Sequence, residues 1–321
     1  MTRNALHDEG GFAIPPTLPP PLPDDGRAAV VTVGTFDGVH RGHWAVLEEI
    51  GRRAESIGGR SVLVTFHPHP LKIVRPEAAP PLLTTPHEKW EVLAESGLDY
   101  VVFVPFTRAL QQYPARRFVE EILIGRVHMK ELVIGHDHGF GRDREGTVDT
   151  LREIGRERGF PVDVVEAVTL EGEPISSSRI RRMLGSGDVS GAARLLGRPY
   201  HFDGLVVRGE QKGRELGFPT ANLTLRDPDK MLPGEGIYAV RAWVRGERVP
   251  GLLHLGPRPT FAGFAPTVEV YLLDWNGDIY GDRVRVEMVE RIRAVQHFDS
   301  VDALIEAIRE DERRGRAILG L

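Results

Sequence analysis

The chain has 321 residues, with 41 Lys+Arg against 46 Asp+Glu and a formal net charge of −5, a balance that speaks against binding nucleic acid through its phosphate backbone. It contains no cysteine, which excludes disulfides, zinc–thiolate sites, iron–sulfur clusters and thiol catalysis, and fits a cytoplasmic setting. At 41% hydrophobic and 27% charged residues, with no apolar run near the roughly 18–20 residues of a bilayer span and no signal-peptide start, it reads as a soluble chain of two domains without a membrane partner.

Residues 1–26 read as a flexible leader, because Gly10 to Gly26 holds six prolines and no apolar period, a composition that favours extended polyproline-like backbone. From 27 to 186, short apolar runs alternate with helical patterns, which predicts an α/β domain on a parallel sheet. The runs are VVTVG ending at Gly34, SVLVTF from Ser61, YVVFVPF from Tyr100, ELVIG ending at Gly135 and VDVVEAV from Val162. After the first run, Val46, Leu47, Ile50, Ala54 and Ile57 mark one face of a helix. Thr85-Pro86-His87-Glu88 is a capping box with proline at the first helical position, opening a helix through Leu93.

A helical segment with Ile180, Met183 and Leu184 then runs into Gly185-Ser186-Gly187, the expected domain boundary. From 187 to 321 a short helix ending in LLGRP gives way to period-two strands: GLVVRG, TANLTL, GIYAVRAWV, TVEVYLLDW and DRVRVEMV, with Asn276-Gly277 as a hairpin signal. A last helix follows Ser300, with Val301, Leu304, Ile305 and Ile308 on one face. This half predicts a small antiparallel β-barrel with a terminal helix.

Two stretches carry chemistry. In Gly34-Thr35-Phe36-Asp37-Gly38-Val39-His40-Arg41-Gly42-His43 a strand turns on glycines and enters a helix, an arrangement that can hold phosphate at the helix N-terminus. His40 and His43, three apart, would present two neighbouring donors to a phosphoryl group, although a turn with a capping histidine explains the same residues. In the second half, Thr220 and Asn222 lie two apart in an extended segment and share a face, and their oxygens are hard ligands suited to Mg²⁺. A surface Thr and Asn on an edge strand explain that pair equally. Glu269 alternates onto the polar face of TVEVYLL, where it is either a solvated carboxylate or a base for an attacking alcohol.

The string GTFDGVHRGH carries the HxGH signature of nucleotidylyltransferases and is similar to bacterial flavin adenylyltransferase domains. Three further strings match in order: Thr65-Phe66-His67-Pro68-His69-Pro70, Gly135-His136-Asp137-His138-Gly139-Phe140-Gly141 and Ile175-Ser176-Ser177-Ser178-Arg179-Ile180-Arg181. GRELGFPTANL, then GIYAV, RPTF at Arg258 to Phe261 and Glu269 resemble bacterial riboflavin kinase. Over roughly Ala28 to the C-terminus the arrangement is similar to the bifunctional riboflavin kinase and FAD synthetase family. The resemblance implies a Rossmann-like HxGH domain followed by a six-stranded kinase barrel. It places His40 and His43 on the ATP phosphates, with Gly34, Phe36, Asp37, Gly38, Asp137, Ser177, Ser178 and Arg181 around the nucleotide. Phe66, Pro68, His69, Pro70 and Arg293 would face flavin. Gly209, Gly213, Arg214, Gly217, Phe218 and Pro219 would surround a second nucleotide, Thr220 and Asn222 would hold Mg²⁺–ATP, and Glu269 would act as base toward the ribityl 5′-hydroxyl.

The implied partners are riboflavin, FMN, FAD and ATP, with Mg²⁺ as cofactor. The chain departs from the family pattern at His67 and His254, where an acid and an asparagine are usual, at His138 and Tyr271, in place of an aromatic and a histidine, and at Val295, in place of an acid. Retention of only one activity, or a flavin- or nucleotide-binding regulatory protein, are the alternatives. Nothing in the sequence reports the oligomeric state.

Overall fold

The computed structural model describes residues 14, 17–136, 141, 145–209, 216–256 and 267–321. The chain divides into two compact units, Met1–Ser176 and Ser177–Leu321.

In the first unit, β1 (Ala29–Val33), β2 (Arg60–His67), β3 (Tyr100–Pro105), β4 (Met129–Gly135) and β5 (Val162–Val165) form one parallel sheet in the order β3-β2-β1-β4-β5. Helices α1 (Arg41–Ser56), α2 (Pro70–Val74), α3 (Pro86–Ala94), α4 (Arg108–Gln111), α5 (Ala115–Phe118) and α6 (Val148–Arg158) join them. A two-stranded ribbon, β6 (Thr169–Leu170) and β7 (Glu173–Pro174), follows.

β1 is buried at every position because both sheet faces are covered. Ala29, Val31 and Val33 pack with Phe118, Leu123 and Leu151, whereas Val30 packs with Leu47, Ile50 and Val92. Ile57, expected on the buried face of α1, is its C-cap and is 44% exposed. The strand order reverses between β1 and β4, so the crevice at their carboxyl ends is the switch point where open α/β sheets bind ligands. The turn from Gly34 and the chain after Gly135 both leave the sheet there.

The expectation of a flexible leader is corrected over its described part. Leu18 and Leu22 pack against the core, Leu22 N donates to Arg126 O (2.8 Å) and Arg126 Nη1 donates to Pro19 O (2.9 Å). The Arg60 side chain, 1% exposed, donates through Nη2 to Pro23 O (2.9 Å), Arg27 O (2.9 Å) and Asp25 Oδ1 (2.6 Å). Leucines spaced between prolines supply an apolar edge, and proline's missing N–H leaves fewer donors to satisfy on docking.

The second unit opens with α7 (Ser177–Ser186) and α8 (Val189–Leu196). Gly234 N donates to Leu184 O (2.8 Å) and Arg291 Nη1 to Ser186 O (3.3 Å), which ties α7 to this unit and puts the division before it rather than at Gly185–Gly187. Then β8 (His201–Val207), β9 (Ala221–Leu225), β10 (Gly236–Val244), β11 (Glu247–Gly256), β12 (Thr267–Leu272) and β13 (Arg283–Arg293) close into an antiparallel barrel ordered β10-β11-β12-β9-β8-β13. The sequence pattern misses β11, whose alternation is broken by Pro250 and Gly251. The hairpin expected at Asn276-Gly277 does not form, because β12 pairs with β11 and β9 while β13 pairs with β10 and β8. The tight turn is Arg245-Gly246, both at positive φ (50° and 84°), between β10 and β11.

Helix α9 (Val301–Leu319) covers part of the outer barrel wall, with Leu319 packed among Ala239, Leu252 and Ile292. Its buried stripe is Asp311, Gly315 and Leu319, while Val301 is exposed. Among the described residues no helix is long and apolar enough to cross a membrane.

Arg60→Met should lower the stability of the first unit by about 1–3 kcal/mol, because it removes the hydrogen bonds that tie Pro23, Asp25 and Arg27 to the sheet. Thermal unfolding should shift down and trypsin should cut faster at Arg27. Wild-type values for both would show that the leader docks without Arg60.

Candidate active sites

At the first site the chain leaves β1 at Gly34 and turns with Phe36 and Val39 at positive φ (46° and 39°) and Gly38 at 83°. His40 is the N-cap of α1, and the two histidines cap reciprocally: His43 N donates to His40 Nδ1 and His40 N to His43 Nδ1, both at 3.3 Å. The rings stack at 3.6 Å with planes 14° apart, and Phe36 lies 4.5 Å from the His43 ring. A ring that accepts at Nδ1 carries its hydrogen on Nε2 when neutral. The capping role and the donor role are therefore the same geometry: two Nε2–H groups fixed side by side at a helix N-terminus.

Beneath the turn lies a buried carboxylate. Asp37, 2% exposed, accepts from Leu83 N (3.1 Å), Thr84 N (3.0 Å) and Thr84 Oγ1 (3.2 Å), and Thr84 Oγ1 in turn accepts from Gly38 N (3.0 Å). The Thr35 carbonyl accepts from Lys89 Nζ (2.6 Å) and Thr65 Oγ1 (3.1 Å). Lys89 is buried, and desolvation pushes its pKa down against the pull of Asp37. Sequence reasoning missed Lys89 and Thr84. A lysine three and four residues ahead of Val92 and Leu93, on the apolar stripe of α3, is the signal that was available.

The other expected residues of this site divide as follows. Phe66 turns into the core against Phe106 (5.6 Å) and Phe118 (5.9 Å). His69 caps α2 by accepting from Leu71 N (3.2 Å), with Pro70 at the first helical position and Pro68 just before the cap. Ile175 O lies 3.7 Å from where a Cβ on Gly42 would sit, so the chain leading to the serine run passes the start of α1. Ser177, Ser178 and Arg181 stand in the first turns of α7, within the second unit. Asp137 and His138 lie outside the described residues.

In the barrel, cross-strand register gathers residues remote in sequence into one row: Val207, Asn222, Glu269, His254, Ile237 and Arg293, on β8, β9, β12, β11, β10 and β13. Leu253, Leu255, Val268 and Val270, which alternate with this row, are buried inside the barrel, so Glu269 and His254 stand on its outer face. Thr220 Oγ1 donates to Glu269 Oε2 at 3.3 Å. Asn222 is held by a close approach: a Cβ on Gly209 would sit 2.1 Å from Asn222 Nδ2. Phe218 meets Tyr271 edge to face at 5.8 Å, at the end of the Gly217-Phe218-Pro219 approach to Thr220.

Burial lowers the pKa of His254, opposed by Glu269. Arg293, expected to face flavin, makes a two-pronged pair with the buried Asp311 of α9 (2.8 and 2.7 Å). Asp311 escaped the sequence reading, although a carboxylate on a stripe with Ile308, Gly315 and Leu319 implies a buried partner. Gly213, Arg214 and the Arg258 to Phe261 string lie outside the described residues.

The first unit thus carries a two-histidine turn at a sheet switch point, and the barrel carries a Thr-Asn-Glu cluster. The FAD synthetase family model matches residues 22–179 and the Riboflavin kinase model matches residues 196–319. The bifunctional riboflavin kinase/FMN adenylyltransferase of Escherichia coli (strain K12) is 38% identical over 300 residues, covering 93% of this chain and 95% of its own length. That of Bacillus subtilis (strain 168) is 34% identical over 297 residues, covering 91% and 93%. A crystal structure from Streptococcus pneumoniae, named as a macrolide-efflux protein, superposes with a TM-score of 0.83 at 32% identity over 90% of this chain and 94% of its own. The chain belongs to the bifunctional riboflavin kinase/FMN adenylyltransferase family.

Gly209→Ala should displace the Asn222 side chain and cut riboflavin phosphorylation at least about tenfold, the cost of misplacing one binding group. The thermal midpoint should hardly move, since Gly209 lies outside β8, two residues past its end. Phosphorylation at the wild-type rate would remove Asn222 from the site.

Proposed function

We propose that the barrel unit phosphorylates riboflavin with ATP to give FMN and ADP, and that the first unit adenylylates FMN with a second ATP to give FAD and pyrophosphate. The observation that carries this division is Glu269, which accepts the Thr220 hydroxyl and stands directly across from Asn222. A carboxylate so placed suits an alcohol nucleophile, whose proton must go somewhere as the oxygen attacks the γ-phosphorus.

The first unit faces a different problem. The phosphate of FMN is already an anion and needs no strong base to attack the α-phosphorus of ATP, so positioning and charge neutralisation carry the rate. The paired Nε2–H groups of His40 and His43 supply donors where charge grows. Asp37 contributes by fixing the turn.

The residues present fit a magnesium ion. The Thr220 hydroxyl and the Asn222 amide oxygen are hard donors, and Asn222 Nδ2 lies nearer Gly209 than that oxygen does. When bound, the ion would neutralise charge on the ATP phosphates. The absence of cysteine supports a cytoplasmic setting.

Glu269→Ala should lower riboflavin phosphorylation by about 10²–10⁴-fold and leave FMN-to-FAD conversion intact. His43→Ala should do the reverse, with a loss of about 10²–10³-fold. Flavins separated by chromatography over time read both. Loss of both activities from either substitution, in a folded protein, would overturn the two-site division.

A further inference from the structure

We infer that Lys89 is a positioning residue of adenylyl transfer: its ammonium holds the Thr35 carbonyl inward and balances the Asp37 carboxylate, so that the turn above can receive the polyphosphate of ATP. The inference rests on the first unit being the transferase.

Lys89 Nζ lies 2.6 Å from Thr35 O, and Thr65 Oγ1 reaches the same oxygen at 3.1 Å. In a trans peptide the C=O and the following N–H point opposite ways. Drawing the Thr35 carbonyl down toward Lys89 and Thr65 therefore aims the Phe36 N–H away from them, in a turn where Phe36, Gly38 and Val39 are left-handed and Asp37 is not, and such mixed backbone favours anions.

The charge matters as much as the hydrogen bond. Asp37 is a buried anion directly under a turn that must accept several negative charges. With Lys89 protonated, the pair beneath the turn is neutral. With Lys89 neutral, the carboxylate loses its lysine counter-charge and its field opposes the polyphosphate more strongly. Asp37, from the turn, is the charged group that acts on Lys89. On α3 itself, Glu88 is turned to the Thr85 N–H (2.9 Å). From β2, the Thr65 hydroxyl reaches the same Thr35 carbonyl.

The sign of the pH effect follows. Burial lowers the lysine pKa and Asp37 partly restores it, so the ammonium is present below that lowered value and lost as pH rises through it. Transferase activity should have an alkaline limb that the kinase of the same chain does not share at that pH.

The test compares the full wild-type chain with Lys89→Met between about pH 6 and 10, up to the ordinary lysine value. FMN-to-FAD conversion is followed at varied ATP, and riboflavin phosphorylation in the same preparation reports folding. Lys89→Met should raise the transferase KM for ATP by about 10–100-fold, the worth of one charge-assisted hydrogen bond. It should change kcat less, abolish the alkaline limb and leave the kinase within about twofold, no larger than a distant substitution would cause.

A variant that keeps both the wild-type KM and the limb would overturn the inference. So would a wild type with no alkaline limb of its own, a measurement that decides the matter even if Lys89→Met does not fold. Wild-type protein that forms no FAD from FMN at any pH would overturn the transferase reading itself, a result distinct from both.

Discussion

Phe36 and Val39 hold positive φ in a turn where such backbone costs about 1–2 kcal/mol per non-glycine residue, and the Asp37 carboxylate between them offsets that cost. It accepts three hydrogen bonds from the segment before α3, each charge-assisted and worth about 1.5–3 kcal/mol. The same segment returns the Thr84 hydroxyl to Gly38 N. The turn is therefore shaped by a loop some 46 residues further along the chain, and only then can His40 start α1 with its ring against His43. The two-histidine cap depends on the backbone course that Asp37 imposes.

The barrel solves the same problem of assembling distant residues by other means. In an antiparallel barrel each strand carries one residue into every cross-strand row, so Asn222, His254, Glu269 and Arg293 meet without any dedicated loop. Register alone would leave long polar side chains free to turn away. Gly209 against Asn222, Thr220 on Glu269 and Asp311 on Arg293 each remove that freedom. The Arg293–Asp311 pair also binds α9 to the wall, which lets a carboxylate sit 3% exposed on an otherwise apolar stripe.

Local text made much of this legible. The five parallel strands and the Thr85 capping box follow from periodicity and short-range chemistry, and the structure has them in place. What escaped was nonlocal or locally misleading. β11 is held by two neighbours despite Pro250, a tertiary override of a poor strand pattern. Asn276-Gly277 has hairpin chemistry, yet closure of the barrel sends β12 and β13 to different partners. Arg60, Lys89 and Asp311 look like surface charges until the fold supplies their partners. The leader looks like a linker because its docking uses few leucines and borrowed acceptors.

The departures from the family pattern at His254 and Tyr271 bear on the kinase row in a way that charge decides. Asparagine, usual at the first position, is a neutral hydrogen-bonding group. Burial lowers the pKa of His254 below the ordinary histidine value, so at neutral pH the ring is likewise uncharged and does not tie up Glu269 as an ion pair. Tyr271 is also neutral there, since burial raises its pKa, and its ring packs edge to face with Phe218, on the approach to Thr220. Neither side chain is a cation there, and Arg293, the cation in the row, is paired with Asp311. Neutral neighbours on the row suit the base role proposed for Glu269.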